Sequence, residues 1–362
     1  MAKAANASFR EANKAYEAWL REELGGVIVQ PDLKAKWDKM TSGAFPFLRA
    51  TYWRWAETIL DICPELADAP ETLAIGDIHL ENYGVWRDDD GRLVWGVNDF
   101  DEAADMPYAL DLVRLATSAA LARPSREYSG GMICASILEG YERGLKDPRP
   151  FVLDETHAWL RELLIVSEQE RAHFWDKVGA LKPSKELPPG RYRKILQIAM
   201  PSGAEITKYT PRTAGTGSLG RPRWVAIADW RGGTVLREAK ALVPSGWTRV
   251  PGRGSRKLRN FEIATGRYRA PDPWYGVRKG IVVRRLSPNS RKVEVRDQPS
   301  ELLDPRMLRA MGHELANIHL GTPNRLRAIQ KDFNKRKARW LHDATVAATK
   351  FVAAEYKAWT KR

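Results

Sequence analysis

The spacing of apolar residues changes several times along the chain, and each change predicts a different kind of element. Helical spacing, with apolar residues three or four positions apart, predicts helices at about 7–24, 52–60, 108–122, 130–145, 153–168, 305–320 and 325–360. Short apolar runs around turns predict two strand-rich blocks, at 73–101 and about 195–295. Residues 39–49 are rich in turn formers, and 180–192 have the composition of a linker. The pattern therefore predicts an α+β protein.

The alternation of helical and strand-rich blocks predicts three units. Residues 1–180 would form a helical unit that contains the first strands, and 195–298 would form a small antiparallel β unit. Residues 299–362 would return to the first unit as C-terminal helices. A chain of 362 residues is long enough for two modest domains or for one two-lobed enzyme.

The composition narrows the class of protein. Hydrophobic residues make up 43% of the chain and charged residues 29%, which is the balance of a folded protein. No apolar run approaches the roughly 18–20 residues that span a bilayer, and the first residues lack the apolar stretch of a signal peptide. The two cysteines, Cys63 and Cys134, are too few for a disulfide scaffold or a zinc cluster. We therefore expect a cytoplasmic protein without a membrane partner.

The formal net charge is +14, from 59 basic and 45 acidic residues. A surplus of this size is typical of nucleic-acid binders, but it would equally attract a nucleotide or keep the surface soluble. A nucleic-acid partner is therefore possible but not favoured.

The first candidate site lies between residues 75 and 101. The pair Asp90-Gly91 between apolar runs predicts a β-hairpin, which would bring Asn82 and Asp99 side by side, with Asp77 on the loop just ahead. Phosphoryl transfer needs such a set: Asp77 would act on the acceptor hydroxyl, while Asn82 and Asp99 would hold Mg²⁺ through oxygen atoms. Each residue alone could simply cap a turn, so the ordered set carries the hypothesis.

The second candidate site is the glycine-rich stretch at 213–220. Gly215, Gly217 and Gly220 form a G-x-G-x-x-G pattern whose flanks are strand-like, whereas a dinucleotide-binding fold would continue into a helix. Lys240 lies on the second predicted strand after this stretch, and kinases have the same arrangement. The three glycines and Ser218 would hold the phosphates of ATP, and Lys240 would reach the α and β phosphates. A plain hairpin turn with a solvated lysine is the alternative.

A carboxylate is expected to pair with Lys240. Glu262, on a following helical segment, is the preferred candidate, and Glu238, on the same strand face as Lys240, is its competitor.

Taken together, Gly-Asp-x-His-x-x-Asn at 76–82, the hairpin and Asp99-Phe100 resemble the aminoglycoside phosphotransferase and choline kinase branch of kinase-like proteins. The resemblance implies a catalytic role for His79, because these families have His where a protein kinase has Lys. It also implies that Asp111 braces the catalytic loop, although a surface Asp at a helix N-terminus is a rival interpretation. The glycine loop follows the catalytic motif here, the reverse of kinase order, so the resemblance implies a circularly permuted, two-lobed fold.

Longer motifs resemble a bacterial family known as domain of unknown function 2252. They lie at 45–49, 76–84, 98–102, 111–115, 215–220, 240–245 and 283–288. Family members tend to have Lys-Glu-Ala where this chain has Lys240-Ala241, which leaves the partner of Lys240 open.

The expected function is a Mg²⁺·ATP-dependent phosphotransferase that acts on a hydroxyl of an unknown small molecule or protein. AMP transfer from the same pocket and a non-catalytic nucleotide- or nucleic-acid-binding protein are the alternatives. The expected function depends on the two candidate segments folding into one pocket.

Overall fold

The computed structural model describes residues 7–125 and 128–361. It is a mixed α+β structure with antiparallel sheets, as the apolar pattern predicts. Within the described ranges, no helix has the length and apolar character needed to cross a bilayer.

Four helices begin the described chain. They are α1 (Phe9–Glu23), α2 (Gln30–Thr41), α3 (Ala44–Ala50) and α4 (Tyr52–Ile62). The prediction of turns at 39–49 is therefore wrong, because α2 and α3 cover most of that stretch. The seven-residue α3 buries Phe45, Phe47 and Leu48, and such burial stabilises a helix too short to form alone.

The predicted hairpin is confirmed. The strands of this region are β1 (Glu71–Ala74), β2 (Tyr83–Arg87), β3 (Leu93–Val97), β4 (Ala104–Pro107) and β5 (Phe151–Val152). In the β2–β3 hairpin Tyr83 lies opposite Val97, and in the β1–β4 pair Ala74 lies opposite Ala104. The connections 75–82 and 98–103 therefore leave matching strand ends and run side by side.

The helices that follow agree only partly with the prediction. They are α5 (Ala109–Ala122), α6 (Gly130–Lys146), α7 (Ala158–Leu164), α8 (Glu168–Gly179) and α9 (Gly190–Ala199). Of the helix expected at 153–168, only α7 forms, and a capping box of Ser167 and Glu170 starts the separate helix α8 after it. The helix α9 also occupies the point where the strand-rich block was expected to begin.

A five-stranded antiparallel sheet follows, with the order β6-β7-β8-β10-β9. Its strands are β6 (Glu205–Pro211), β7 (Arg223–Trp230), β8 (Gly233–Ala241), β9 (Gly276–Arg278) and β10 (Ile281–Leu286), and the short helix α10 (Asn260–Ala264) lies between β8 and β9. The glycine-rich stretch connects β6 to β7, and Lys240 lies on β8 opposite Arg223 on one side and Val282 on the other.

The C-terminal helices pack against the earlier ones. They are α11 (Pro299–Leu303), α12 (Pro305–His319), α13 (Leu326–Lys335) and α14 (Trp340–Thr360), so the single helix expected at 325–360 is divided in two. One apolar cluster includes Leu20, Val113 and Leu315 from the helices and Ala239 and Val283 from the sheet. The sheet and the helices therefore share a core.

Candidate functional site

The loop at 75–82 is held from beneath by Asp111. Its carboxylate accepts hydrogen bonds from the backbone N–H groups of Ile75 (2.8 Å) and Gly76 (2.9 Å) and lies 3.1 Å from His319 Nε2. Asp111 is fully buried on α5. The bracing role that the resemblance implied is confirmed in geometry, and the rival surface interpretation is wrong.

Asp77 follows this braced segment. Its Oδ1 accepts a 2.5 Å hydrogen bond from Arg114 Nη2, and the completely buried Arg114 lies 5.0 Å from the ring centre of Tyr52 and 5.2 Å from that of Trp55. Burial raises the pKa of the Asp77 carboxyl, and the Arg114 charge opposes that rise without cancelling it. A methyl group added at Gly217 would lie 3.1 Å from Oδ2. One carboxylate oxygen is therefore anchored, and the other faces the glycine loop.

Asn82 connects the loops at 75–82 and 98–103. Its Nδ2 donates to the carbonyl oxygens of Asp77 (3.2 Å) and Asp99 (3.1 Å). Because the amide nitrogen has these two acceptors, the amide oxygen is the atom available to a metal. The structure thus brings Asp77, Asn82 and Asp99 together, as the hairpin predicts.

Asp99 lies among cations. Burial raises its pKa, but Lys240, Lys292 and two arginines, Arg284 and Arg223, outweigh this effect and hold the pKa far below the ordinary range. Its side chain is 38% exposed, so an ionised carboxylate faces the space between the two candidate segments.

His79 is buried beside these acids. Its Nδ1 accepts from the Glu81 backbone N–H (3.2 Å), so the proton of the neutral ring lies on Nε2. Burial, followed by the charges of Arg49 and Arg114, holds the pKa of His79 well below its ordinary value. The ring is therefore neutral and can donate one hydrogen bond.

The glycine loop at 212–222 is fixed at both ends by one carboxylate. Glu238 on β8, which is 1% exposed, binds Arg212, the first residue of the loop, and Arg223, the residue that follows it (2.7 Å). Arg223 also donates to Ser218 Oγ at 2.8 Å. Gly215 has a φ of +76°, which favours glycine. The side chain of Ser218 is therefore engaged within the loop.

Helix α2 holds the same loop from outside. The contacts, donor first, are Val29 N to Gly220 O (3.0 Å), Thr213 Oγ1 to Asp32 Oδ1 (2.7 Å), Lys36 Nζ to Gly217 O (3.3 Å) and Lys39 Nζ to Gly215 O (3.3 Å). These four contacts fix the position of the loop, in which Gly217 lies next to Asp77 Oδ2.

The structure corrects the expected partner of Lys240. Its Nζ lies 2.5 Å from Asp101 Oδ2 and 3.7 Å from Asp99 Oδ1. Glu262 binds Arg259 three residues earlier in the chain, and its side chain is 53% exposed, while Glu238 is taken by arginines. Lys240 on β8 contacts the loop at 98–103 through Asp101. Glu262 lies on the exposed face of α10, where it pairs with Arg259.

A cavity of about 480 Å³ lies where these segments meet. Of the predicted site residues, its wall includes Asp77, His79, Asn82, Asp99, Gly215, Gly217 and Ser218. Among the described residues, Gly220, Lys240 and Glu262 are not on this wall. Gly220 packs against Leu33 of α2, and Lys240 contacts Asp101 of the loop at 98–103. The two candidate segments, more than a hundred residues apart in sequence, thus share one cavity.

Comparison with known proteins adds a family for part of the chain. A model described as an uncharacterised protein conserved in bacteria (DUF2252) matches residues 29–173. We call residues 29–173 the DUF2252 segment. No curated protein and no solved structure matches the chain. The resemblance is confirmed for the motifs from 45 to 115, while those at 215–288 lie outside the matched segment.

Several residues of the cavity were missed by the sequence reasoning. Within the DUF2252 segment, Asp101 and Glu102 lie on the wall and hold the buried Arg221, with the Glu102 contact at 2.9 Å. The sequence did offer a signal for Asp101 and Glu102, since three of the five residues in the motif at 98–102 are acidic. Lys292, which follows β10, lies in no motif that pointed to the site. In the structure, burial lowers the pKa of its amino group to about 8.

The described side chains of the cavity do not form a metal site by themselves. Among the residues that the structure describes, no group of three or more His, Cys, Asp or Glu side chains is arranged to hold a metal. Asn82 and Asp99 would provide two oxygen ligands, and Mg²⁺ commonly completes such a set with phosphate oxygens and water.

Proposed function

We propose that this protein is a Mg²⁺·ATP-dependent phosphotransferase that acts on a hydroxyl group. The observation that carries the proposal is the meeting of the two segments: Gly217 lies over Asp77 Oδ2, and Lys240 Nζ lies 3.7 Å from Asp99 Oδ1. A phosphate-binding loop and an acidic set in one cavity are the parts that phosphoryl transfer requires.

The transfer step assigns a role to Asp77. The acceptor oxygen attacks the γ-phosphorus of ATP, the bond to the β–γ bridging oxygen breaks, and its electron pair leaves with ADP. The proton of the acceptor hydroxyl passes to Asp77 Oδ2, the oxygen that Arg114 does not hold. The raised pKa of Asp77 favours this step, because the carboxylate is a stronger base than one in water.

The remaining residues would position the phosphates. Asn82 and Asp99 would hold Mg²⁺, which neutralises charge on the phosphate oxygens when bound. The backbone N–H groups at 215–218 would approach the phosphate chain, and His79 Nε2–H would donate a hydrogen bond at the same wall. Lys240 would act through Asp99 and Asp101, which it orients.

The same proposal includes a kinase-like fold in permuted order. Its support is the succession of strand, glycine loop, strand and lysine-bearing strand in β6–β8, with the acidic hairpin preceding it in the chain. A site depends on where residues lie in space, so either order of the two halves could build it.

Replacing Asp99 tests the proposal. We expect Asp99→Asn to reduce Mg²⁺-dependent release of ADP from ATP by at least about a hundredfold, the order of loss seen when one preorganised electrostatic group is removed from an active site. The exposed Asp343→Asn on α14 is the matched control, and circular dichroism verifies the fold of both variants. Equal turnover in Asp99→Asn and wild type would refute the assignment. AMP transfer would instead release pyrophosphate and add AMP to the product, which mass spectrometry distinguishes from a phosphate.

A further inference from the structure

The cavity wall has an unusual composition for a nucleotide site. It includes eight Lys or Arg side chains and six carboxylates. Among the described residues on the wall, the apolar side chains are those of Pro46 and Ala214. Sites for ring-bearing ligands are lined mainly by hydrophobic and aromatic groups, and the described residues of this wall offer a purine no aromatic side chain other than His79 and little aliphatic surface.

The neighbouring apolar hollow does not supply that surface. It is lined by Trp86, Phe100 and Tyr275 and shares Arg284 with the main cavity, but its volume is only about 80 Å³. Pockets that enclose drug-sized ligands typically measure about 300–1,000 Å³. The hollow is therefore too small to enclose a base in this structure.

The cations on the wall are arranged for several phosphates. Arg212, Arg223 and Arg284 share the single carboxylate of Glu238, which leaves two positive charges in excess at that point. Lys292 adds a cation beside Asp99, and its Cγ would lie 3.1 Å from a methyl group added at Gly84. Guanidinium groups bind phosphate oxygens in pairs through planar, charge-assisted hydrogen bonds.

We propose that this site recognises its phosphate donor through the phosphate chain and does not read the base. The inference rests on the proposed function and narrows its substrate class: ATP, GTP, UTP and inorganic tripolyphosphate are equivalent ligands, all held by the charged wall.

Binding measurements test this inference without requiring turnover. Isothermal titration in Mg²⁺ compares ATP, GTP, UTP, sodium tripolyphosphate and adenosine on the full chain. We expect the three nucleotides to agree within about threefold in Kd, tripolyphosphate to bind within about tenfold of ATP, and adenosine to show no binding. Affinity for tripolyphosphate should also fall as salt rises, because the interaction is between charges.

Two variants locate the binding. Lys292→Met should weaken ATP and tripolyphosphate by the same factor, about tenfold or more, as expected from losing one charge-assisted contact. The exposed Lys335→Met on α13 removes the same charge outside the cavity and should leave both affinities unchanged. Unchanged affinities in Lys292→Met would overturn the inference.

The outcomes separate this inference from the proposed function. Binding of adenosine, an ATP affinity more than about threefold above that of GTP, or one more than about tenfold above that of tripolyphosphate overturns the base-independent site while leaving a phosphotransferase intact. Binding of tripolyphosphate without any Mg²⁺-dependent release of ADP from ATP supports the recognition of the phosphate chain and defeats the proposed reaction. Absence of binding by every compound overturns both.

Discussion

At the scale of single residues, the site depends on an ion pair whose two partners differ in their exposure to solvent. Arg114 is completely buried, whereas 19% of the Asp77 side chain is exposed. Arg114 also donates to the Leu48 carbonyl oxygen at 2.9 Å, so it connects α3 to the loop of Asp77. The arginine therefore orients the candidate base and ties two elements together.

Removing this arginine should destabilise the fold. We expect Arg114→Leu to lower the free energy of unfolding by about 3–5 kcal/mol, since it leaves the Asp77 carboxylate without its partner at a largely buried position. Urea denaturation measures the change. The control is Lys146→Met, which breaks an exposed pair with Glu142 and should cost less than about 1 kcal/mol. An equal cost for both variants would contradict the structural role of Arg114.

At the scale of elements, helices α6 and α12 approach each other closely. Gly140 of α6 lies against the backbone of Arg309, and a methyl group added there would lie 1.9 Å from the Arg309 carbonyl oxygen. Gly312 of α12 faces the Ile137 backbone in the same way. These glycines permit the contact that brings the C-terminal helices back onto the DUF2252 segment.

Enlarging Gly140 tests this packing. We expect Gly140→Ala to lower the free energy of unfolding by about 2 kcal/mol or more, because the backbone must shift, even though alanine favours helices by about 1 kcal/mol. Gly131→Ala on the same helix would meet its nearest neighbour, Ser129 Oγ, at an unstrained 4.0 Å and should be neutral or stabilising. Thermal or urea unfolding compares the two. A stabilised Gly140→Ala would show that the helices lie farther apart.

At the scale of the whole molecule, the sheet and the helices share one apolar core and one cavity. A ligand held by both walls should therefore stabilise the entire chain. We expect Mg²⁺·ATP at about a hundred times its Kd to add about 2.7 kcal/mol of stability, which raises the Tm of a single cooperative transition by a few degrees.

Differential scanning fluorimetry or calorimetry measures this shift. The Asp99→Asn variant should lose the Mg²⁺-dependent part of the shift, whereas Asp343→Asn should retain it. Two separate transitions, of which the nucleotide moves only one, would contradict a cavity shared by both parts.

The outcome of the sequence-based predictions depends on how far apart the interacting residues lie. The hairpin at 83–97 and the strand–loop–strand around Gly215 were predicted correctly, because turn preferences and apolar alternation act over a few residues. The meeting of Asp77, Asn82 and Asp99 followed from that hairpin. Helix boundaries were less accurate: the break before α8 was missed although its capping box is visible in the sequence.

What the sequence determined by itself was therefore local: the class of each main segment and the two chemical sets at 77–99 and 215–240. Only the tertiary structure decided which groups face one another. Lys240 meets Asp101 across 139 positions and Arg114 meets Asp77 across 37, and such pairs are set by packing and by the need to neutralise buried charge. The charged character of the whole cavity wall, built from helices, loops and sheet, arises in the same way.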